Sequence, residues 1–202
     1  QFRDFSPMTC WVVVPFKQPE QAKGRLSAVL SEAGRIELAG AMLHHVVGVA
    51  SLAEPAVQLC LLGPTRHGLS QNIPLLADPG TGLNPALHEA LEHVSLKDAR
   101  RMIVLFADLP LLSSQDVQLL AAAPADTIAI APDRHGTGTN ALSLPLPAAR
   151  GFTFCFGTDS FVLHHNEANR LGLRIEGIHS QGLARDVDMP EDLPDAAGLI
   201  GR

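Results

Sequence analysis

Cysteine is scarce in this chain of 202 residues. The three present, Cys10, Cys60 and Cys155, show no zinc-site spacing, and Cys10 and Cys60 lie in apolar runs. An odd count with no pairing pattern suits a reduced, cytoplasmic protein, with a nucleophilic cysteine left as an alternative. Positive charge is also scarce: 15 Lys and Arg face 21 Asp and Glu, a formal net charge of −6. That balance excludes the basic face a nucleic-acid partner needs. No apolar run approaches the roughly 20 residues of a membrane span, and no secretory leader is visible. The nine histidines contain no HExxH; the pairs His44-His45 and His164-His165 fall in helix-like segments and read as solvated helix faces. No Ser-His-Asp or Cys-His constellation, internal repeat, low-complexity tract or linker composition is present.

What remains is ordinary globular material, 46% hydrophobic and 18% charged, of a length that suits one domain. Residues 1–7 read as a tag remnant or loose tail, and 8–202 as the folded unit. Short continuous apolar runs at Cys10–Val14, Val57–Leu62, Pro74–Ala77, Met102–Phe106 and Thr127–Pro132 read as strands, the longer ones buried on both faces. Ala141–Leu144 and Leu173–Ile178 add shorter ones, and Phe152, Phe154 and Phe156 alternate as in an extended segment with one buried face. Between them, helical spacing runs from Ser31 to about Leu52, from Pro85 to about Ser95 with Asn84 as N-cap, after Ser113 with Asp116 as capping-box partner, and from about Ser160 to Leu171. Strands alternating with helices predict an α/β three-layer domain with a mainly parallel sheet, with some antiparallel pairing near 141–156.

The loops carry the chemistry. Pro15-Phe16-Lys17 to Ala22-Lys23-Gly24-Arg25-Leu26 follows the first strand with three of the few cations, tethered by Phe16 and Leu26. In open α/β sheets ligands bind at such strand ends, so the loop reads as phosphate-binding or, blandly, as a solvated basic loop. Asp78 to Pro85, with Gly80 and Gly82, leads into a helix N-terminus, which suits part of a nucleotide or simply a tight turn. Asp108 lies just beyond a strand end and is either a hard-cation ligand or a turn aspartate. Asp133-Arg134-His135-Gly136-Thr137-Gly138-Thr139-Asn140 offers glycines, hydroxyls and a guanidinium to an anion, or forms a plain hairpin loop. Gly157-Thr158-Asp159-Ser160 opens another helix. In Asp186-Val187-Asp188 an extended chain puts both acids on one side, where a divalent cation relieves their repulsion.

Taken together and in order, these segments resemble the guanylyltransferases that activate 2-phospholactate, phosphoenolpyruvate or 3-phosphoglycerate during assembly of the deazaflavin coenzyme F(420). Its carriers are Pro15-Phe16-Lys17 with Ala22–Leu26, Gly82-Leu83-Asn84, Ala107-Asp108-Leu109-Pro110, Asp133–Asn140, Phe156–Phe161 and Asp186-Val187-Asp188-x-Pro190-Glu191-Asp192-Leu193. The resemblance implies a single-domain nucleotidyltransferase of GT-A-like, Rossmann-like fold. It implies GTP held by Pro15, Lys17, Lys23, Gly82, Leu83 and Asn84, with Lys17, Lys23, Arg25 and Asp108 catalytic. It implies Mg²⁺ on Asp108, Asp186 and Asp188, and the phospho-acid near Arg134, Thr139, Asn140, Gly157 and Ser160. A downstream transferase of the same pathway and a homodimer are the macromolecular partners it suggests. Two departures stand out: Gly24 where the family usually has serine or threonine, and Met189 where it has threonine; they take away a hydroxyl for phosphate and a side-chain cap before Pro190.

The implied chemistry suits the composition. A phosphate monoester, with a second pKa of about 6, is already an anionic nucleophile at neutral pH. No general base is needed, only positive charge to gather two polyanions and neutralise the leaving pyrophosphate. The alternatives are a nucleotidyltransferase or glycosyltransferase of the same fold acting on a sugar phosphate or pterin, and a non-catalytic nucleotide-binding domain.

Overall fold

The apolar runs assemble into one sheet. The structure, a computed structural model, describes residues 9–17, 23–53, 57–78 and 80–199; the amino-terminal tail, the middle of the first cationic loop and Pro79 lie outside them. β1 (Cys10–Pro15), β2 (Gln58–Leu62), β3 (Leu75–Leu76), β4 (Arg101–Leu105), β5 (Thr127–Pro132), β6 (Thr139–Pro145) and β7 (Arg174–Gly177) lie in the order β3-β2-β1-β4-β6-β5-β7. Pairing is parallel except for β6, which runs antiparallel to β4 and β5. The helices are α1 (Glu32–Ser51), α2 (Leu83–Ser95), α3 (Ser114–Ala121), α4 (Ser160–Arg170) and the single turn α5 (Gln181–Ala184), with 3₁₀ helices at Gly24–Ala28 and Pro190–Ala196.

Continuous β-branched runs work here because both sheet faces are covered. Val12 and Val14 of β1 pack into one core with Leu43 and Val46 of α1 and Val117 of α3. Trp11 and Val13 point the other way, into a core with Leu87 and Leu91 of α2 and with Phe152 and Phe154. Each such side chain contributes roughly 1.5–3 kcal/mol through removal from water. The three-layer α/β architecture is the expected one. β1 is the strand where chain order reverses: β2 and β3 build outward on one side and β4 begins the other. In such sheets the crevice at the carboxyl ends beside the reversal receives ligands.

A third, smaller core decides where the acids and cations meet. Leu26 and Val187, both fully buried, pack with Leu38 and Met42 of α1 and with Ala196. Leu26 fastens the Gly24–Ala28 helix to α1. Val187 turns inward, so its neighbours Asp186 and Asp188 both face the opposite way. The Val187 N–H donates to the Asp108 carbonyl at 3.1 Å, which joins the two acidic segments through backbone.

Several local expectations differ from what is found. Gly82, not Asn84, caps α2; its φ of 110° is open to glycine and strained for other residues. β6 begins at Thr139, two residues early, so Thr139 and Asn140 are buried strand residues. The antiparallel pairing is confined to β6; the 152–156 segment is extended but unpaired and holds its rings against α4. Gln181–Ala184 is helical, which leaves only the residues after Ala184 extended. His164 is fully buried rather than solvated. The Cys10 and Cys60 thiols are also buried, and burial pushes their pKa values up to about 12 and about 11, far from nucleophilic behaviour.

Candidate active site

Asp108, Asp186 and Asp188 converge at the mouth of the crevice, with one carboxylate oxygen from each within 4.8 Å of the others. Asp108 arrives from the end of β4, and the other two from the extended stretch that Val187 pins down. Burial, with help from neighbouring Asp108, raises the pKa of Asp186. Asn140 Nδ2 donates to Asp186 Oδ1 at 3.2 Å and to the Leu183 carbonyl at 2.9 Å. Asn140 therefore supports the acids rather than facing the Thr139–Ser160 pair.

Lys23 stands among these acids. Its Nζ donates to Asp108 Oδ2 at 2.7 Å and to Asp188 Oδ1 at 2.9 Å, with its side chain only 8% exposed. Burial opposes the ammonium, but the two carboxylates outweigh it and hold its pKa above the usual lysine value. Arg25 lies farther out, 3.7 Å from Asp188 Oδ2 and largely in solvent. Three clustered carboxylate oxygens, with an ammonium already drawn among them, are a donor set for a hard divalent cation. Neutral nitrogen or sulfur ligands for a softer metal are not part of the cluster.

Behind the acids lies a cavity of about 350 Å³. Pro15, Lys17, Lys23, Leu83, Asp108 and Asp188 are among its lining, so the first cationic loop and the start of α2 do face one space. Gly82 precedes that helix start. Asn84 has a different engagement: its Nδ2 donates to the Phe156 carbonyl at 3.0 Å and its Oδ1 accepts the Phe156 N–H at 2.8 Å. This pair clamps the start of α2 to the segment before Gly157. The Phe106 and Phe156 rings meet edge to face across the same gap, 5.1 Å between centroids.

Several backbone amides of the octapeptide are used within a hairpin turn. The Gly136 and Thr137 N–H groups donate to Asp133, to its carbonyl and its carboxylate, and the Asp133 N–H donates to the Gly138 carbonyl, so these amides close the β5–β6 turn. Arg134 has a partner outside this loop. Its guanidinium pairs with the fully buried Asp192 carboxylate. Asp192 also accepts the N–H groups of Asp188 at 2.9 Å and Met189 at 2.7 Å. Arg134 and Asp192 thus brace the Asp186–Asp188 stretch by taking its amides, although Met189 offers no side-chain oxygen to the helix start. Among the described residues nothing lies within 4 Å of a Cβ added at Gly24, so a serine there would displace none of them.

Thr139 and Ser160 do meet. Their hydroxyl oxygens are 3.2 Å apart where the start of β6 faces the start of α4, and Gly157, at a φ of 132°, lets the chain turn into that helix. His164 and Asp192 are the residues that sequence reasoning missed. Asp192 lies in a motif that carries the resemblance, but Met189 leaves it without a capping-box signature; a histidine at helical spacing gives no sign of which face it takes.

Burial is the main cause that lowers the His164 pKa from 6.5 to about 4. Between those values the unfolded chain holds the extra proton, so stability falls as pH falls through that window, by on the order of 3 kcal/mol in all. The thermal midpoint of the wild type is expected to drop between pH 6.5 and pH 4, and the slope to flatten in His164→Leu. Equal slopes in the two proteins would assign the drop to other groups.

Comparison with known proteins bears on family and fold. The family described as "Guanylyl transferase CofC like" matches residues 10–197. A phosphoenolpyruvate guanylyltransferase of Sphaerobacter thermophilus is 35% identical over 196 residues, 95% of this chain and 94% of that protein. One of Chloroflexus aurantiacus is 39% identical over 189 residues, 90% and 91% of the two chains. Among solved structures, CMP:2-keto-3-deoxy-manno-octonic acid synthetase complexed with CTP superposes with a TM-score of 0.61 at 13% identity, over 95% of this chain and 98% of that one. 4-Diphosphocytidyl-2C-methyl-D-erythritol synthase does so with 0.62 at 11%, over 96% and 99%. At such identities these two speak for the shared fold.

Proposed function

The chain belongs to the family of CofC-like guanylyl transferases, and from that premise we propose that it transfers GMP from GTP to the phosphate of phosphoenolpyruvate, with release of pyrophosphate. The observation that carries this reading is the convergence of Asp108, Asp186 and Asp188 around Lys23 at the mouth of the crevice. The triphosphate lies along Pro15, Lys17 and Lys23, with the base toward Gly82 and Leu83. The acceptor's carboxylate takes hydrogen bonds from the Thr139–Ser160 corner beside Gly157, and its phosphate is directed to the α-phosphorus. Asp108, Asp186 and Asp188 would hold Mg²⁺, which when bound supplies charge neutralisation at the reacting phosphates.

The chain's own part is positioning. The acceptor phosphate attacks as the anion it already is, so no residue removes a proton. Lys23 and Arg25 offset the charge that develops on the departing pyrophosphate. Asn140, Arg134 and Asp192 keep the acids in place. The clamp of Asn84 on Phe156 holds the nucleotide side and the acceptor side at a fixed separation, which an in-line displacement requires. Delivery of the product to a downstream transferase, and pairing into a homodimer, belong to the same reading.

The test is pyrophosphate release with Mg²⁺, across GTP and ATP and across phosphoenolpyruvate, 3-phosphoglycerate, 2-phospholactate and a sugar phosphate. Release is expected with GTP and phosphoenolpyruvate together and not with GTP alone. Equal turnover with ATP would remove the guanine assignment. Release driven only by the sugar phosphate would move the enzyme to another branch of the fold.

A further inference from the structure

His164 makes two hydrogen bonds inside a closed apolar shell, and their directions are fixed by one partner. Nε2 lies 3.1 Å from the backbone nitrogen of Cys155. An N–H can only donate, so Nε2 must present its lone pair. Nδ1 lies 3.1 Å from Thr139 Oγ1. The ring is fully buried between Phe152 and Phe156, with centroids 5.7 and 4.7 Å away. Burial lowers its pKa to about 4, so the ring is neutral at pH 7. A neutral ring whose Nε2 accepts carries its one proton on Nδ1. That proton goes to the Thr139 oxygen.

The consequence falls on Thr139. Its hydroxyl has two lone pairs and one proton. His164 occupies one lone pair, and the Ser160 hydroxyl at 3.2 Å is placed to occupy the other. With both lone pairs taken, the Thr139 proton is the one group that this buried hydroxyl has left to offer. With the opposite tautomer the Thr139 proton would go to Nδ1, and the hydroxyl would have only a lone pair left to offer. We propose that His164 is a positioning residue that keeps the Thr139 hydroxyl a hydrogen-bond donor and so makes the acceptor site select an anionic oxygen. This rests on the reading of Thr139 and Ser160 as acceptor residues.

The proton position can be read directly by long-range ¹H–¹⁵N NMR of the wild-type protein at pH 7. A neutral ring protonated at Nδ1 is the expected result; a proton on Nε2 overturns the proposal. Kinetics supply the second arm. In His164→Leu the KM for phosphoenolpyruvate is expected to rise about ten- to a hundredfold, as for a lost hydrogen bond to a charged group, with the KM for GTP unchanged. His164→Asn, whose amide can donate from near the Nδ1 position, should recover most of that loss. Phe152→Leu loosens the same packing without touching these hydrogen bonds; it should lower the thermal midpoint and leave both KM values alone. If His164→Leu merely lowers kcat, or raises both KM values alike, the role is structural and the proposal fails. Ser160→Ala separates the two ways of being wrong. A raised phosphoenolpyruvate KM there, with none in His164→Leu, removes the role of His164 only. No change in phosphoenolpyruvate KM in Ser160→Ala removes the acceptor reading and the proposal with it. Should His164→Leu fail to fold, the NMR measurement on the wild type still decides.

Discussion

Asp188→Asn is expected to lower turnover by about a hundred- to a thousandfold while leaving the fold intact. The amide has the shape of the carboxylate but not its charge, and half of it is a donor. It would turn either an N–H toward Lys23 and a bound cation or a neutral oxygen that binds both weakly. Stability should hardly move, because the Asp188 side chain is 46% exposed and its pairs with Lys23 and Arg25 are partly screened. A loss within about 1 kcal/mol is appropriate for such pairs. Circular dichroism and a melting curve check the fold, and a pyrophosphate-release assay checks turnover. Near-normal turnover in a folded Asp188→Asn protein would take this acid out of the metal site.

Lys23→Met should separate metal binding from catalysis. Lys23 Nζ bonds the same two carboxylates that the cation would need, Asp108 and Asp188. Ammonium and metal therefore compete for them in the free enzyme. Without the ammonium, the affinity of the free enzyme for Mn²⁺, followed by electron paramagnetic resonance, is expected to tighten. Turnover with GTP should nonetheless fall by about a hundred- to a thousandfold, because a charge near the triphosphate is gone. Removing one partner from a buried cluster costs about 3–5 kcal/mol, and less here because the acids are part-exposed. The thermal midpoint in metal-free buffer should accordingly fall and be restored by added Mn²⁺. Weaker Mn²⁺ binding in Lys23→Met would mean that Lys23 supports the cation site instead of competing for it.

The separate parts of the acid triad obey local rules, while their grouping at one place was what the family resemblance implied. Asp108 follows a run too apolar to be anything but a buried strand, and Asp186 and Asp188 flank a valine that must turn inward. What could not be read was which polar groups these rules would leave facing one another. Arg134, in a Gly/Thr-rich loop, looked free for an anion, but Asp192 takes it, and that carboxylate lies in a segment distant in sequence. Asn84 before a proline satisfied the rules for an N-cap. A positive φ at Gly82 starts the helix earlier, and the carboxamide reaches Phe156 instead. His164 beside His165 on a helix gives no hint of burial, because one member faces the core and the other does not. In each case a long-range partner overrode a local preference.

The central claim is that the acceptor's phosphate attacks the α-phosphorus of GTP beside the three aspartates. It is tested most directly by ³¹P NMR of a reaction run with phosphoenolpyruvate carrying ¹⁸O on its terminal phosphate oxygens. The account predicts ¹⁸O in the bridge between the two phosphorus atoms of the product and unlabelled pyrophosphate. A bridge without ¹⁸O, or label in the pyrophosphate, would contradict it.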